Sequence, residues 1–372
     1  MGKITDQILV PAAMMASLII GAGMFSLPYV FARSGAIAGV IYLVLMALVA
    51  MEVHRSYAEV VEAAGESHRF AGYAEKYLGK TGSLIGGVSV VGGIILTLAI
   101  YLTLSGSFIG LIFPDIPGIA GILIFWAIGG AMIASGIKKF AGLDLIFFLG
   151  IIITAAILAA FGLVSGDIGM FSRFPADMAS VFLPFAPVLF ALSGRSAISS
   201  MREYFSENRY DPRNLKKAIA LGTVVPVAVY AAFVFGVTAL SSQGVTTDAV
   251  SGLSHLPGAL IAVIGVLGFS AVVTSYIFLG MEFRGIMEKD AKVRPWLAAL
   301  IAVILPLALH IAGLNNFITL VGLVGGVFLA IESMIVISMR RAATLRRRPY
   351  DLILIAVFLG AVVYEIISFF GA

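Results

Sequence analysis

Eleven blocks of apolar residues run through this chain, at about 8–32, 36–61, 84–113, 117–137, 143–165, 178–204, 214–240, 257–285, 294–313, 316–339 and 349–370. A helix needs about 20 such residues to cross roughly 30 Å of hydrocarbon at 1.5 Å per residue. Inside lipid every backbone N–H and C=O must find an internal partner, which leaves helices or a closed barrel. Barrel strands are about ten residues of alternating polarity, so these blocks describe an all-α integral membrane protein of eleven transmembrane helices. With 60% hydrophobic and 12% charged residues, against about a quarter charged in soluble chains, nothing suggests a soluble domain. Lys3 precedes the first block, but no small-residue cleavage site follows a short core, so the block reads as a retained helix.

Short loops rich in Lys and Arg stay in the cytoplasm. A cytoplasmic N-terminus puts 22 of the 24 Lys and Arg residues at cytoplasmic ends and leaves Arg33 and Arg173 outside. The C-terminus is then external. The basic stretches are Lys138-Lys139, Arg202 to Lys217, Arg284 to Arg294, and Arg340 to Arg348. They read as a topology signal in contact with membrane lipid rather than as a nucleic-acid surface. The longest cytoplasmic connection, Glu62 to Lys80, holds a short amphipathic helix around Tyr73 to Leu78.

The chain has no cysteine, which excludes disulfides, thiolate metal sites and cysteine nucleophiles. His54, His68, His255 and His310 lack metal-ligand spacing. No paired aspartates or Ser/His set points to a membrane-embedded enzyme, no ATP-binding loop to a pump, and no filter repeat to a channel. No cofactor is implied, and oligomeric state is not legible.

Two helices carry interruptions at mid-depth. In the first, Gly21 and Gly23 precede Pro28; in the sixth, Pro184 and Pro187 precede Phe190-Ala191-Leu192-Ser193-Gly194-Arg195. Gly costs about 1 kcal/mol and Pro about 3 in a helix interior, so both segments are expected to unwind. They lie five spans apart, as corresponding parts of two inverted repeats would, and paired breaks of that kind mark a midplane substrate site. Gly86-Gly87, Gly92-Gly93 and Gly325-Gly326 read instead as close helix packing.

The run Gly21-Ala22-Gly23-Met24-Phe25-Ser26-Leu27-Pro28-Tyr29 resembles the first-helix signature of the amino acid, polyamine and organocation transporter superfamily. Phe190 to Gly194 resembles its sixth-helix signature. Tyr57-Ala58-Glu59-Val60 and the span count are similar to the amino acid/auxin permease branch and the bacterial aromatic and hydroxy amino acid permeases. The resemblance implies the LeuT fold: helices 1 and 6 discontinuous, one inverted repeat over about 8–165, a second over about 178–339, and an extra helix over about 349–370. It also implies a secondary transporter of amino acids. The substrate carboxylate would meet N–H groups of Gly21, Ala22, Gly23 and Met24, and its amine the carbonyls around Phe190, Ala191, Ser193 and Gly194, with Tyr101 and Thr97 of the third helix nearby.

The same resemblance carries a sodium site to the Thr274 and Ser275 side chains and the carbonyls of Ala271, Ser17 and Ile20. Proton coupling is the alternative, with Glu332 of the tenth span as carrier. Glu332 is expected to pair with a basic neighbour, Glu59 to lie at the cytoplasmic interface, and His310 to be interfacial. Arg195 stands where relatives usually carry an apolar residue. A guanidinium at that depth costs about 2.5–3.5 kcal/mol on insertion scales. It either gates the cytoplasmic vestibule by pairing with a carboxylate such as Glu59, or receives a polar or acidic substrate side chain.

Overall fold

A computed structural model describes residues 5–66, 68–136, 143–167, 169, 175, 178–241 and 244–371. Lys3, Lys138, Lys139 and Arg173, which entered the topology reading, lie outside the described residues. In chain order the helices are α1 (Thr5–Ile19), α2 (Ala22–Ser34), α3 (Ala36–Ala64), α4 (Phe70–Ile112), α5 (Gly118–Ser135), α6 (Leu143–Ser165), α7 (Ser180–Ala191), α8 (Ala197–Glu207), α9 (Pro212–Leu240), α10 (Gly258–Lys289), α11 (Pro295–Ile311), α12 (Phe317–Thr344) and α13 (Asp351–Gly371). Their ends fall within a few residues of the apolar blocks, apart from the long extension at the start of α4.

Among the described residues, eight helices are each long and apolar enough to cross a membrane, and α1 with α2 forms a ninth span bent by 50°. The expected eleven includes two helices that fall short alone. α7 stops where the chain unwinds after Ala191, and α11 has 17 residues, about 25 Å of helix.

Ion pairs join the turns after α3, α8, α10 and α12, Arg69 with Asp290, Glu62 with Arg202 and Glu59 with Arg348, at one end, here called the basic end. α9 packs between α1 and α6, α10 lies along α4 and α6, and α12 packs on α3 and α4. The amphipathic segment expected around Tyr73 to Leu78 is the first arm of α4. Gly79 joins it to the main shaft with φ 74° and ψ −171°, a left-handed conformation that a residue with a Cβ adopts only under strain. In α12, Leu323–Leu329 is a π-helical stretch. A Cβ on Gly325 would lie 2.0 Å from the Ala186 carbonyl oxygen of α7, so this glycine serves close packing, as its pairing with Gly326 suggests.

At the other end, the loop before α10 is built on Asp248. Its carboxylate accepts from the Thr246 hydroxyl (2.8 Å), the Ser251 hydroxyl (2.5 Å) and the N–H groups of Val250 (3.2 Å) and Ser251 (3.1 Å), with Ser107 of α4 as a further donor. Burial pushes this carboxyl up, but the donors together outweigh it and hold it below the ordinary aspartate value. Its stabilisation is therefore complete above about pH 4 and lost as pH falls through the depressed value. Asp248→Asn should cost about 1–3 kcal/mol at neutral pH and progressively less below about pH 4. Melting temperatures of the two proteins in detergent across that range measure the difference; equal values at pH 7 would refute the role given to the carboxylate.

Candidate functional site

The chain leaves regular helix at Ile20-Gly21 and again after Ala191, and the two stretches lie against each other. At the first, Ile20 turns extended (φ −74°, ψ 96°) and Gly21 follows it (φ −148°, ψ −152°). A tight 3₁₀ turn over Ala22–Ser26 then leads into Leu27–Ser34, with Pro28 in its first turn. At the second, α7 ends at Ala191, and residues 192–196 carry the chain to α8. The contact between the breaks is backbone on backbone: a Cβ on Gly23 would sit 2.5 Å from the Cα of Ala191. One on Gly194 would sit 2.6 Å from the Ile19 side chain. Gly23 therefore has a packing role whatever else it does.

Unwinding frees carbonyls and N–H groups in a medium without water, where each unpaired group is costly. Two residues that sequence reasoning missed take up much of this load. The Tyr230 hydroxyl of α9 lies 2.7 Å from both the Ile19 and the Ala191 carbonyl oxygens, sharing its proton between the two broken helices. Imidazole Nε2 of His54 accepts the Gly194 N–H at 3.0 Å, while Nδ1 lies 3.4 Å from the Thr223 hydroxyl oxygen, whose own proton goes to the Ile219 carbonyl. That chain of donors requires the Nδ1–H tautomer.

Tyr101 of α4 stands opposite the first break. Its hydroxyl meets the Ala22 N–H and the Ser275 hydroxyl, and the space beside Gly21 is bounded by these same two oxygens. Tyr101, Gly21, Ala22 and Ser275 thus converge. The other expected ligands engage their own chain: the Met24 N–H donates to the Gly21 carbonyl (3.3 Å), and the Ser193 N–H to that of Phe190 (3.2 Å). Thr274 donates to Ala271 (3.1 Å) or Ser270 (3.2 Å), and Ser17 to Met14 (3.0 Å). Thr97 likewise bonds back to Gly93. A substrate or ion would have to exchange with these bonds.

Beyond the second break, toward the basic end, Arg195 donates from Nε (2.9 Å) and Nη2 (2.5 Å) to a single carboxylate oxygen of Glu332 in α12. Its guanidinium lies 4.1 Å from the Phe70 ring centroid and 5.6 Å from that of Tyr57, within the range of cation–π attraction. Glu332 is 4% exposed. The expected partner of Arg195, Glu59, is instead held with Glu52 by Arg348 of the α12–α13 turn, because these two carboxylates, seven residues apart, share the face of α3 opposite to His54 and Tyr57, which meet the second break and Arg195. Between the Arg195–Glu332 pair and the second break lies a cavity of about 20 Å³, bordered by His54, Leu192, Ser193 and Ser333. At the opposite end Phe25 makes edge contacts with Phe108 (5.2 Å) and Phe233 (5.5 Å). His310, expected at an interface, is buried against the Thr103 hydroxyl. The crossing is therefore covered on both sides, by an ion pair on one and by aromatic rings on the other.

Residues 4–368 match the tryptophan/tyrosine permease family. Tyrosine-specific transport system 2 of Haemophilus influenzae is 28% identical over 228 residues, 59% of this chain and 55% of that protein. Tyrosine-specific transport system 1 of the same organism is 23% identical over 291 residues, 74% of this chain and 70% of that protein. The chain thus matches little more than half the length of the first relative. Among solved structures, a manganese transporter of Eremococcus coleocola, bound to an aromatic bis-isothiourea compound, is similar with a TM-score of 0.65 and 15% identity, covering 99% of this chain and 88% of that one. MhsT in complex with L-phenylalanine gives 0.64 and 16%, covering 98% of each chain. At such identities the likeness shows a shared fold, the LeuT type, and does not extend to ligands. With the family match running almost end to end, the chain belongs to the tryptophan/tyrosine permease family.

Proposed function

We propose that this protein is a secondary active transporter that carries aromatic amino acids across a plasma membrane by alternating access. The observation that carries the reading is the crossing of two broken helices at a centre covered from both ends. The family and the tyrosine-specific relatives support the aromatic class. In this reading α7, the break and α8 form one span, and α11 another, which makes eleven. α1 to α6 and α7 to α12 are the two inverted repeats, α13 is the addition, and the superfamily is that of amino acid, polyamine and organocation transporters. The basic end faces the cytoplasm, with the N-terminus inside and the C-terminus outside.

The substrate sits where Tyr101, Gly21 and the second break meet, its carboxylate toward the N–H groups of Ala22 and Gly23 and its amine toward the carbonyls of Phe190 and Ala191. Counterflow of labelled tyrosine, tryptophan and phenylalanine in proteoliposomes tests this, because only a carrier exchanges substrate without net flux. No exchange of any of the three would overturn the aromatic assignment.

Arg195 and Glu332 act as the inner gate. Breaking one partner of a buried pair costs roughly 3–5 kcal/mol, so Glu332→Gln should favour the inward-open state. The chain has no cysteine, so a single Ser193→Cys gives a clean readout. Its thiol should react with a polar maleimide from the cytoplasmic face about tenfold faster or more when Glu332→Gln is added. Unchanged labelling would remove the gate assignment.

Sodium is the coupling ion in this reading, held by Thr274 and Ser275 with the carbonyls of Ala271, Ser17 and Ile20; hydroxyl and carbonyl oxygens are the hard ligands such an ion needs. Thr274→Ala with Ser275→Ala should lower sodium affinity about tenfold or more while leaving counterflow in saturating sodium, a loss on the order of 1.4 kcal/mol. A specific observation favours protons as the second reading: Glu332 is a buried carboxylate with Glu282 close enough to interact. Uptake indifferent to replacing sodium by choline, yet abolished by dissipating the proton gradient, would decide for it.

A further inference from the structure

Both tryptophans of the chain line one groove. It opens on the outer face of the bundle between α5 and α11 and has a volume of about 640 Å³. Its walls are Trp126, Ala127, Ala131 and Ala134 on one side and Trp296 and Leu300 on the other. The Trp126 indole N–H is already used by the Val303 carbonyl (2.9 Å), so the ring presents an apolar wall. Ala127, Ala131, Trp296 and Leu300 are exposed. Along α5 the groove runs from Trp126 to Ala134, about 12 Å of helix. An apolar slot of that length suits acyl chains, and the charge at its mouth selects an anionic lipid over the apolar helix face of a second copy.

Its mouth at the basic end is cationic. Arg284 of α10 borders the groove, with Nε on Glu288 (2.5 Å) and Nη1 on the carbonyls of Ala134 (2.8 Å) and Ile133 (3.2 Å). Among the described residues its Nη2 has no acceptor. Lys292 and Arg294 are exposed in the turn that leads into Pro295 and Trp296. The neighbouring acids are already engaged, Glu288 by Arg284 and Asp290 by Arg69 (3.7 Å). Surplus positive charge therefore stands over an apolar slot at the depth where a lipid headgroup would lie.

We propose that this groove is a binding site for an anionic phospholipid. Its acyl chains lie between Trp126 and Trp296, and its phosphate meets Arg284 Nη2 with Lys292 and Arg294. The site is on the outer face of α5 and α11, away from the crossing of the broken helices.

The two tryptophans supply the test. The full chain carrying Trp296→Phe, in detergent, keeps Trp126 as the only fluorophore of its kind. It is titrated with phosphatidylglycerol carrying brominated acyl chains, and separately with phosphatidylcholine carrying the same chains. Phosphatidylglycerol should quench saturably at about one lipid per protein, and Lys292→Gln and Arg294→Gln should each weaken it about fivefold. Ala131→Phe, which fills the exposed slot, should remove the saturable phase while melting temperatures show all variants folded. Equal, non-saturating quenching by both lipids would mean ordinary lipid solvation and overturn the proposal. So would quenching that declines as protein concentration rises together with dimers in light scattering, which would give the groove to a second copy.

Discussion

The whole architecture turns on one constraint: a helix broken inside hydrocarbon exposes backbone groups that water cannot reach. This chain breaks two helices and then brings the breaks together, so that each helps to bury the other. The closest approach, Gly23 against Ala191, leaves no room for a Cβ. The freed carbonyls of Ile19 and Ala191 are then satisfied by one hydroxyl, that of Tyr230. Because a single O–H serves two strands of backbone, any movement of α1 against α7 must change that bond. The device that stabilises the breaks also registers their relative position.

How the crossing is covered differs at its two ends, and the difference is chemical. Toward the basic end an arginine and a glutamate form a bonded pair beneath Phe70 and Tyr57. Separating them leaves two charges in a low dielectric until water enters. At the far end Phe25 slides between Phe108 and Phe233 through contacts worth about 0.5–1.5 kcal/mol each beyond burial. Opening there exposes apolar surface but strands no charge. The two covers therefore differ in kind: the ionic one depends on charge, the aromatic one on apolar packing.

Much of this was legible in the sequence because it depends on local patterns. Block length gave the helices, and Gly21, Gly23 and the run Leu192-Ser193-Gly194 marked the places where helical hydrogen bonding fails, whereas Pro184 and Pro187 lie within α7. The resemblance of the first-helix run was sufficient to anticipate the fold. What stayed hidden were pairings between residues far apart in the chain. Nothing near Tyr230 distinguishes it from any packed aromatic, and its role exists only because α9 passes both breaks. His54 looked like an isolated histidine, although its partners are 140 and 169 residues away. Arg195 announced itself by its cost in lipid, but two carboxylate-bearing helices were within reach. The choice of Glu332 over Glu59 follows from which face of α3 turns toward the second break, and that depends on how the helices pack.

The position of α12 ties these features together. Its π-helical stretch packs Gly325 directly onto Ala186 of α7, and one turn later Leu329 and Glu332 face the small cavity and Arg195. On its other side Gly326 receives the Glu365 side chain of α13, and at the basic end Arg340 is buried against Asp351. α12 is thus fixed to α13 at both levels, while its first half packs along α7 and Glu332 holds Arg195 of the broken span. π-Helical turns are rare inside α-helices and frequent at functional sites. With that segment beside α7 and the Arg195–Glu332 pair just beyond it, the bracing of α12 by α13 ties both contacts of the broken span to one anchored helix.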